Sequence, residues 1–198
     1  MTIIAQGAEA IINQQRNVVI KSRISKGYRH PQLDEKLRKQ RTKKELRLLE
    51  KASKVIPVPK IIKNKDYNIE LEFLKGKKLS EYLDKLSNKK TICKQIGSNI
   101  AKLHDSEMIH GDLTTANMIL SKNKVFFLDF GLGYESNNVE DKAVDLHVLK
   151  EALEAQHYKK VKKYWSAILQ GYKISKHTAS VLERLKKVES RGRYKQSY

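Results

Sequence analysis

Three oxygen-bearing side chains lie close together in the chain at a spacing that suits phosphoryl transfer. Asn117 follows Asp112 by five residues, and Asp129 follows Asn117 by twelve. The apolar runs 118–120 and 125–128 predict a hairpin that would bring Asn117 and Asp129 together. We expect Asp112 to accept the proton of an attacking hydroxyl or water, and Asn117 and Asp129 to bind Mg²⁺ on phosphates. The alternative is a turn capped by Asp112 and an unrelated hairpin.

These residues resemble the motifs of the protein-kinase superfamily. Residues 110–117 read HGDLTTAN and residues 129–131 read DFG, where the superfamily has H-R-D-x-x-x-x-N and D-F-G. Gly111 replaces the Arg that pairs with an activation-loop phosphate in regulated kinases, so we expect no switch of that kind. Only thirteen residues separate Gly131 from Asp145, too few for a peptide-docking platform, which disfavours a broad-specificity protein kinase.

A lysine and a glutamate upstream complete the expected ATP site. Lys21 ends the apolar run 18–20 and occupies the place of the kinase V-A-I-K lysine, whose ammonium contacts the ATP phosphates. The alternative is that Lys21 is one of many exposed lysines and has no role in a site. A buried lysine needs an anionic partner to keep its charge, and Glu45 in the middle of a helix predicted for 33–54 is the natural one. Glu35, near the start of that helix, is the alternative partner.

The kinase resemblance assigns further roles. Gly7, in the first predicted turn, stands where a glycine-rich loop would cover the phosphates, although an ordinary hairpin turn explains a single glycine equally well. Backbone groups near Glu72 and Leu74, beside the predicted hinge at 74–76, would bind the adenine edge. Asp145 would be a buried acid that accepts hydrogen bonds from catalytic-loop amides, and His110 would support the same loop.

The hydrophobic pattern predicts an α+β fold, a minimal two-lobed protein-kinase-like fold. Short apolar or alternating runs at 2–5, 10–13, 18–23, 60–64 and 67–73 predict a five-stranded antiparallel sheet. Helical periodicity follows at 79–86, 91–105, 149–169 and 175–188, with Trp165 as the expected large core anchor. We expect an N-lobe at 1–74, a C-lobe at 75–190 and a flexible basic tail at 191–198.

The charge balance predicts a polyanionic partner. The chain of 198 residues has 41 Lys and Arg against 22 Asp and Glu, a formal net charge of +19 and a pI near 9.9. Nucleic acid is the first candidate, an acidic membrane surface the second, and a generally lysine-rich proteome the alternative. The sequence shows no membrane span, and its single Cys93 fits a reducing cytoplasm. The basic residues expected to contact phosphates are Lys36, Lys39 and Lys43 on the helix, and Arg191 and Arg193 in the tail.

Over its whole length the chain resembles the PRPK family, the small atypical kinase subunit of the KEOPS complex. The single-glycine first turn, residues 110–117, residues 129–132, the run 140–146 and the Arg-Gly-Arg of 191–193 carry this resemblance. It implies ATPase and serine autophosphorylation activity with ATP and Mg²⁺, beside a metalloprotein that makes threonylcarbamoyl-adenosine in tRNA. A RIO-type ribosome-assembly kinase, a small-molecule phosphotransferase and a non-catalytic RNA-binding module are the alternatives.

Overall fold

The computed structural model describes residues 2–193 and has the α+β fold expected from the sequence. Its first part is a five-stranded antiparallel sheet in the order β1-β2-β3-β5-β4. The strands are β1 (Thr2–Gln6), β2 (Ala10–Gln15), β3 (Val18–Arg23), β4 (Ile61–Lys65) and β5 (Asn68–Glu72). The predicted five-stranded sheet is therefore confirmed.

One long helix, α1 (Pro31–Ala52), connects β3 to β4. It begins two residues before the predicted start, because Pro31 occupies the first turn, where its fixed φ suits a helix and its missing N–H costs nothing. The C-terminal half of α1 buries Leu46, Leu48 and Leu49. Near the start of α1, Leu33 is 51 % exposed, so this apolar side chain does not contribute to the core.

The second part of the chain is mostly helical around two small sheets. β6 (Lys77–Lys78), β8 (Met118–Ser121) and β9 (Lys124–Phe127) form one sheet, which contains the predicted hairpin. β7 (Met108–Ile109) pairs with β10 (Tyr134–Glu135) in the other. The helices are α2 (Leu79–Tyr82), α3 (Lys89–Asp105), α4 (Val139–Gln156), α5 (Val161–Tyr172) and α6 (Thr178–Arg193). No helix of residues 2–193 is long and apolar enough to cross a membrane.

The helix predicted for 149–169 is wrong, because the structure divides this stretch into two helices. α4 ends at Gln156, a 3-10 turn covers Tyr158–Lys160, and α5 begins at Val161. At the break the buried His157 bonds Asp84, Nδ1 to Oδ2, at 2.9 Å. Tyr164 Oη donates to the other oxygen of Asp84 at 2.5 Å. This carboxylate binds both ends of the break and holds the turn in place.

The aromatic core also differs from the expectation. Trp165 is only partly buried, so it is not the core anchor that we predicted. The fully buried aromatic side chains include Phe127, Phe130 and Tyr172, which belong to one continuous core cluster. Burial of the Tyr172 hydroxyl is tolerated because it forms a hydrogen bond with Nδ1 of the buried His104 at 2.9 Å. Hydrogen bonds at both of its ring nitrogens therefore hold His104 in the core.

The flexible tail predicted from residue 191 needs correction. Helix α6 continues through Arg193, and Arg191 Nη1 bonds Glu140 Oε1 on α4 at 2.8 Å. The first three residues of the predicted tail are therefore helical. The rest of the predicted tail, residues 194–198, and the side chain of Arg193 lie outside the described part of the chain.

Helices α3 and α5 approach each other so closely that their contact requires glycine. A Cβ on Gly97 would overlap the carbonyl oxygen of Ile168, and a Cβ on Gly171 would overlap that of Lys94. Both obstacles are backbone atoms, which cannot turn away as a side chain can.

We expect Gly97→Ala to lower the free energy of unfolding by about 3 kcal/mol or more, because the two backbones must separate. Urea unfolding measures this loss. Gly27→Ala is the matched control, since a Cβ there meets nothing within 4 Å. Equal stability of the two variants would contradict the close helix contact.

Asp84 makes the stability depend on pH. Burial raises the pKa of Asp84, but the hydrogen bonds from His157 and Tyr164 outweigh that effect and lower the pKa to about 2. A lowered pKa means a contribution that is fully present above the ordinary carboxyl range and is lost as the pH falls through about 2. We expect the stability difference between wild type and Asp84→Asn to be constant near neutral pH and to shrink in acid. A difference that grows in acid would contradict the assignment.

Candidate active site

A buried network of two cations and two anions forms the centre of the site. Lys21 Nζ on β3 donates to Glu45 Oε1 and to Asp129 Oδ1, both at 2.6 Å. Arg23 Nη2, two residues further along β3, donates to Glu45 Oε2 at 2.6 Å. The Lys21, Arg23 and Glu45 side chains are each at most 8 % exposed, whereas Asp129 is 46 % exposed. The network is neutral overall, as burial demands.

The pairing of Lys21 with Glu45 is the one predicted from the sequence, and the alternative partner Glu35 lies elsewhere. Glu35 is exposed on α1 and accepts from Lys39 Nζ at 2.7 Å. Glu45 lies near the middle of α1 at 2 % exposure, where it faces β3.

Sequence reasoning missed Arg23. It lies on the same face of β3 as Lys21, since side chains of a strand repeat every two residues. A Cβ on Gly131 would lie 3.4 Å from its Nη2, so the guanidinium lies close to the residues after Asp129. Its Nε is buried and has no hydrogen-bond partner in the described residues. The spacing Lys-x-Arg in an apolar strand was the available signal.

Asp129 is ionised in this setting and held in an unusual conformation. Burial raises the pKa of Asp129, but the charge and hydrogen bond of Lys21 and the hydrogen bond from the Gly131 amide lower it further than burial raises it. Its φ of +58° lies in the left-handed region, which non-glycine residues rarely adopt. This turn directs the carboxylate back towards Lys21.

Asp112 and Asn117 contact each other within residues 110–117, the expected catalytic loop. Asn117 Nδ2 donates to Asp112 Oδ2 at 2.8 Å and to the Asp112 carbonyl oxygen at 3.0 Å. His110 Nε2 donates to the Leu128 carbonyl oxygen at 2.9 Å, so its Nδ1 is the acceptor for the Asp112 amide at 3.3 Å. His110 thereby links the loop to the residue before Asp129, and its ring packs 4.7 Å from that of Phe130.

Asp145 on α4 holds the beginning of this loop. Its Oδ2 accepts from the His110 amide at 3.0 Å and from His104 Nε2 at 3.2 Å, and its Oδ1 accepts from the Gly111 amide at 2.9 Å. The residue is 2 % exposed. A charged acceptor with three donors fixes the direction of the loop, which is the arrangement expected from the sequence.

The oxygen atoms fit a hard divalent cation that also binds phosphates. Both contacts of Asn117 with Asp112 use its nitrogen, which leaves its amide oxygen as the ligand atom, and Asp129 offers a half-exposed carboxylate. Within residues 2–193 no group of three or more His, Cys, Asp or Glu side chains could hold a metal by itself. Mg²⁺ is usually held by one or two carboxylates plus substrate phosphates and water, so this small set of ligands suits it.

The remaining residues of the expected nucleotide site occupy the sheet. Gly7 lies in the turn between β1 and β2, and its amide donates to the Ala10 carbonyl oxygen at 3.0 Å. Glu9 in that turn pairs with Arg41 of α1, so the turn is bound to the helix. Glu72 ends β5 with its amide bonded to the Lys60 carbonyl oxygen at 2.9 Å, and the half-buried Leu74 follows.

The structure does not bring the basic residues expected at phosphates into this network. Lys36, Lys39 and Lys43 are exposed on α1, and Lys39 is paired with Glu35. Arg191 is paired with Glu140.

Comparisons with known proteins agree on one family. The RIO domain matches residues 13–142. KEOPS complex subunit Bud32 of Pyrococcus abyssi is 38% identical over 99% of this chain and 97% of its own. EKC/KEOPS complex subunit bud32 of Dictyostelium discoideum is 39% identical over 98% and 83%. This chain belongs to the Bud32 family of RIO-domain proteins.

Two further matches describe length and fold. The probable bifunctional tRNA threonylcarbamoyladenosine biosynthesis protein of Methanobrevibacter smithii is 42% identical over 97% of this chain but only 36% of that protein, so this Bud32-family chain spans about a third of it. The structure of the Rio2 kinase–ADP/Mg²⁺–phosphoaspartate complex from Chaetomium thermophilum has a TM-score of 0.65 at 15% identity, covering 96% of this chain and 72% of that one. This structural similarity shows that the chain has a protein-kinase-like fold.

Gly111 explains why this Bud32-family chain departs from the usual kinase loop. Its φ of +77° favours glycine, and a Cβ there would lie 2.6 Å from the Leu132 carbonyl oxygen. An arginine at this position would displace the segment that follows Asp129. The departure from the kinase motif is therefore a steric requirement of this loop.

The buried network predicts a large difference between two glutamates of α1. Glu45→Ala leaves Lys21 and Arg23 without their shared partner, so we expect the free energy of unfolding to fall by about 3–5 kcal/mol. Glu35→Ala removes an exposed pair and should cost at most about 1 kcal/mol. Urea unfolding measures the free energy of unfolding of both variants and of wild type.

If Glu45→Ala does not fold, Glu45→Gln gives the same ranking at smaller cost, because the amide still accepts one hydrogen bond. Equal losses for the Glu45 and Glu35 variants would refute the assignment of Glu45 as the shared partner.

Proposed function

We propose that this Bud32-family protein is a Mg-ATP-dependent atypical kinase and ATPase that supports threonylcarbamoyl-adenosine modification of tRNA as a KEOPS subunit. The observation that carries the proposal is the convergence of Lys21 on both Glu45 and Asp129. A buried lysine held by a helix glutamate and placed next to a metal-binding acid is the arrangement that kinases use for ATP phosphates.

Each residue of the candidate site would have a distinct role in ATP binding or phosphoryl transfer. Lys21 contacts the α and β phosphates, and Glu45 holds its ammonium in place. Asp112 accepts the proton of the attacking group, which is water in ATP hydrolysis or a serine hydroxyl of the protein in autophosphorylation. Asn117 orients Asp112 through its bond to the carboxylate. Gly7 covers the phosphates, and backbone groups at Glu72 and Leu74 contact adenine.

Asn117 and Asp129 would hold Mg²⁺. When bound, the ion would supply charge neutralisation and alignment of the phosphates. Because Lys21 already bonds Asp129 Oδ1, the lysine lies where it can pass from the carboxylate to a phosphate oxygen.

The names of the relatives support the choice of process. Two relatives are described as KEOPS subunits, and a third as a bifunctional protein of tRNA threonylcarbamoyladenosine biosynthesis. We propose that this chain acts beside the threonylcarbamoyl-transferase metalloprotein, either as a separate subunit or as part of one polypeptide, and on tRNA. The division into lobes at residue 74 and the cytoplasmic location stay predictions.

Loss of a site carboxylate should abolish most ATP turnover. We expect Asp112→Ala to lower Mg²⁺-dependent ATP hydrolysis by about 10² to 10⁴, the usual contribution of a positioned base. Asp129→Ala should lower the maximal rate of hydrolysis. It should also raise the Mg²⁺ concentration that gives half of that maximal rate, because it removes a ligand of the metal. Initial rates at several Mg²⁺ concentrations test both.

Glu50→Ala is the matched control, since Glu50 is an exposed carboxylate on α1. Its rate should equal that of wild type. Hydrolysis at the wild-type rate by Asp112→Ala would remove the proposed base, and an inactive wild type that binds RNA would favour the non-catalytic alternative.

A further inference from the structure

A concentration of lysines with few acidic partners lies on the helical part of the described chain. It surrounds the beginning of α5 and of α3. Two adjoining grooves open there, with volumes of about 560 Å³ and 730 Å³. They share Lys160, Lys162 and Lys163. We define the basic groove by the lysines that line the two grooves together: Lys89, Lys90, Lys150, Lys159, Lys160, Lys162 and Lys163.

Most of these lysines have no acidic partner. Lys150 pairs with Glu189 at 2.8 Å and Lys160 with Asp84 at 3.4 Å. Among residues 2–193, no carboxylate lies within 4 Å of the five other ammonium groups of the basic groove. Glu154, the one acid that lines it, makes no ion pair with them. Five uncompensated charges on one concave surface repel one another and favour an anionic ligand.

Helix electrostatics point to the same ligand. Lys89 and Lys90 occupy the first turn of α3, and Lys162 and Lys163 occupy the first turn of α5; neither turn has an acid. Cations destabilise a helix N-terminus, where the dipole favours negative charge. Their presence is unfavourable for the free helix and becomes favourable when an anion binds.

Aromatic rings and a rigid base complete the surface. Tyr158 is 70 % exposed, and Lys159 Nζ lies 5.5 Å from its ring centroid. Trp165 also lines the groove. The hydrogen bonds of Asp84 with His157 and Tyr164 fix the turn that carries Tyr158 and Lys159. Exposed rings next to point charges on a rigid, concave surface suit stacking and phosphate contact with RNA better than a flat membrane.

The surfaces predicted from the sequence are partly neutralised. On α1, Arg38 pairs with Asp34, Lys39 with Glu35, and Arg41 with Glu9. Arg191 and Arg184 share Glu140. Lys36 and Lys43 on α1 have no ion pair among residues 2–193, so RNA could contact these two directly. Elsewhere on these surfaces it would have to replace ion pairs, whereas the basic groove offers five lysines without an acidic partner.

We propose that the basic groove binds the phosphate backbone of structured RNA, with Tyr158 available to stack on an unpaired base. This inference rests on the proposed function for its choice of tRNA as the ligand. Lysine contacts to phosphates read the backbone and not the sequence, so binding is strongly salt-dependent and tolerant of sequence.

The test uses the full chain with the substitutions Lys159→Gln, Lys162→Gln and Lys163→Gln together, and a tRNA transcript as the probe. The control carries Lys60→Gln, Lys63→Gln and Lys65→Gln, which remove the same charge from exposed lysines in and before β4. Fluorescence anisotropy without ATP, at several salt concentrations, should show affinity at least about tenfold weaker for the groove variant. Its salt dependence, as the slope of log K on log salt, should be smaller by about 2 to 3.

Two further readouts separate the outcomes. The groove variant should unfold at the same or a higher urea concentration, because it relieves the unfavourable charges at the start of α5, so lost affinity cannot be ascribed to unfolding. Its ATP hydrolysis without RNA should match wild type.

Wild-type affinity in the groove variant, equal losses in both variants, or no tRNA binding by wild type would each overturn the inference. All three leave the ATPase proposal standing, because hydrolysis without RNA is measured separately. Binding of phosphatidylserine vesicles but not tRNA through the same lysines would overturn it in favour of a membrane ligand.

Discussion

The architecture of the site depends on one carboxylate that serves two cations. Glu45 places one oxygen on Lys21 and the other on Arg23, so a single helix residue fixes two positions of β3. Lys21 in turn bonds Asp129, which connects the sheet to the helical part of the chain. Each buried charge is tolerable only because the others are present. The sheet, α1 and the Asp129 turn are thereby bound to one another.

A second carboxylate, that of Asp145, likewise serves several partners. Asp145 accepts from the His110 and Gly111 amides and from His104, whose ring also bonds Tyr172. The catalytic loop is thus bound through Asp145 and His104 to the α3, α4 and α5 core. Asp112 follows this rigid support directly, and its amide and carboxylate are held by His110 and Asn117. This explains physically how the loop can dispense with the kinase arginine at position 111.

The sequence predicted what depends on local pattern and short motifs. Strand periodicity predicted the five-stranded sheet, which the structure confirms, and the order of Asp112, Asn117 and Asp129 predicted the candidate site. The helix break after Gln156 could not be predicted from the sequence. It depends on the hydrogen bond between His157 and Asp84, which are 73 residues apart in the chain. Arg23 was missed because its charge alone predicts exposure, and only Glu45 makes its burial possible. Trp165 was misjudged because the size of a side chain does not tell which face of its helix packs on the core, and the buried face of α5 carries Tyr164, Ile168 and Tyr172.

The net charge shows the limit most clearly. A formal charge of +19 predicts a polyanionic partner, but it says nothing about where that partner binds. The location depends on which cations remain after ion pairing, and pairing is a property of the fold. Lys36, Lys39 and Lys43 look like a basic face in sequence, yet Lys39 meets a carboxylate and its neighbours Arg38 and Arg41 do so as well. Lys162 and Lys163 look like solvated surface, yet they lie unpaired at a helix start where a cation is unfavourable until an anion arrives. Charge that is unfavourable in the free protein is therefore a better guide to a binding surface than charge that is merely abundant.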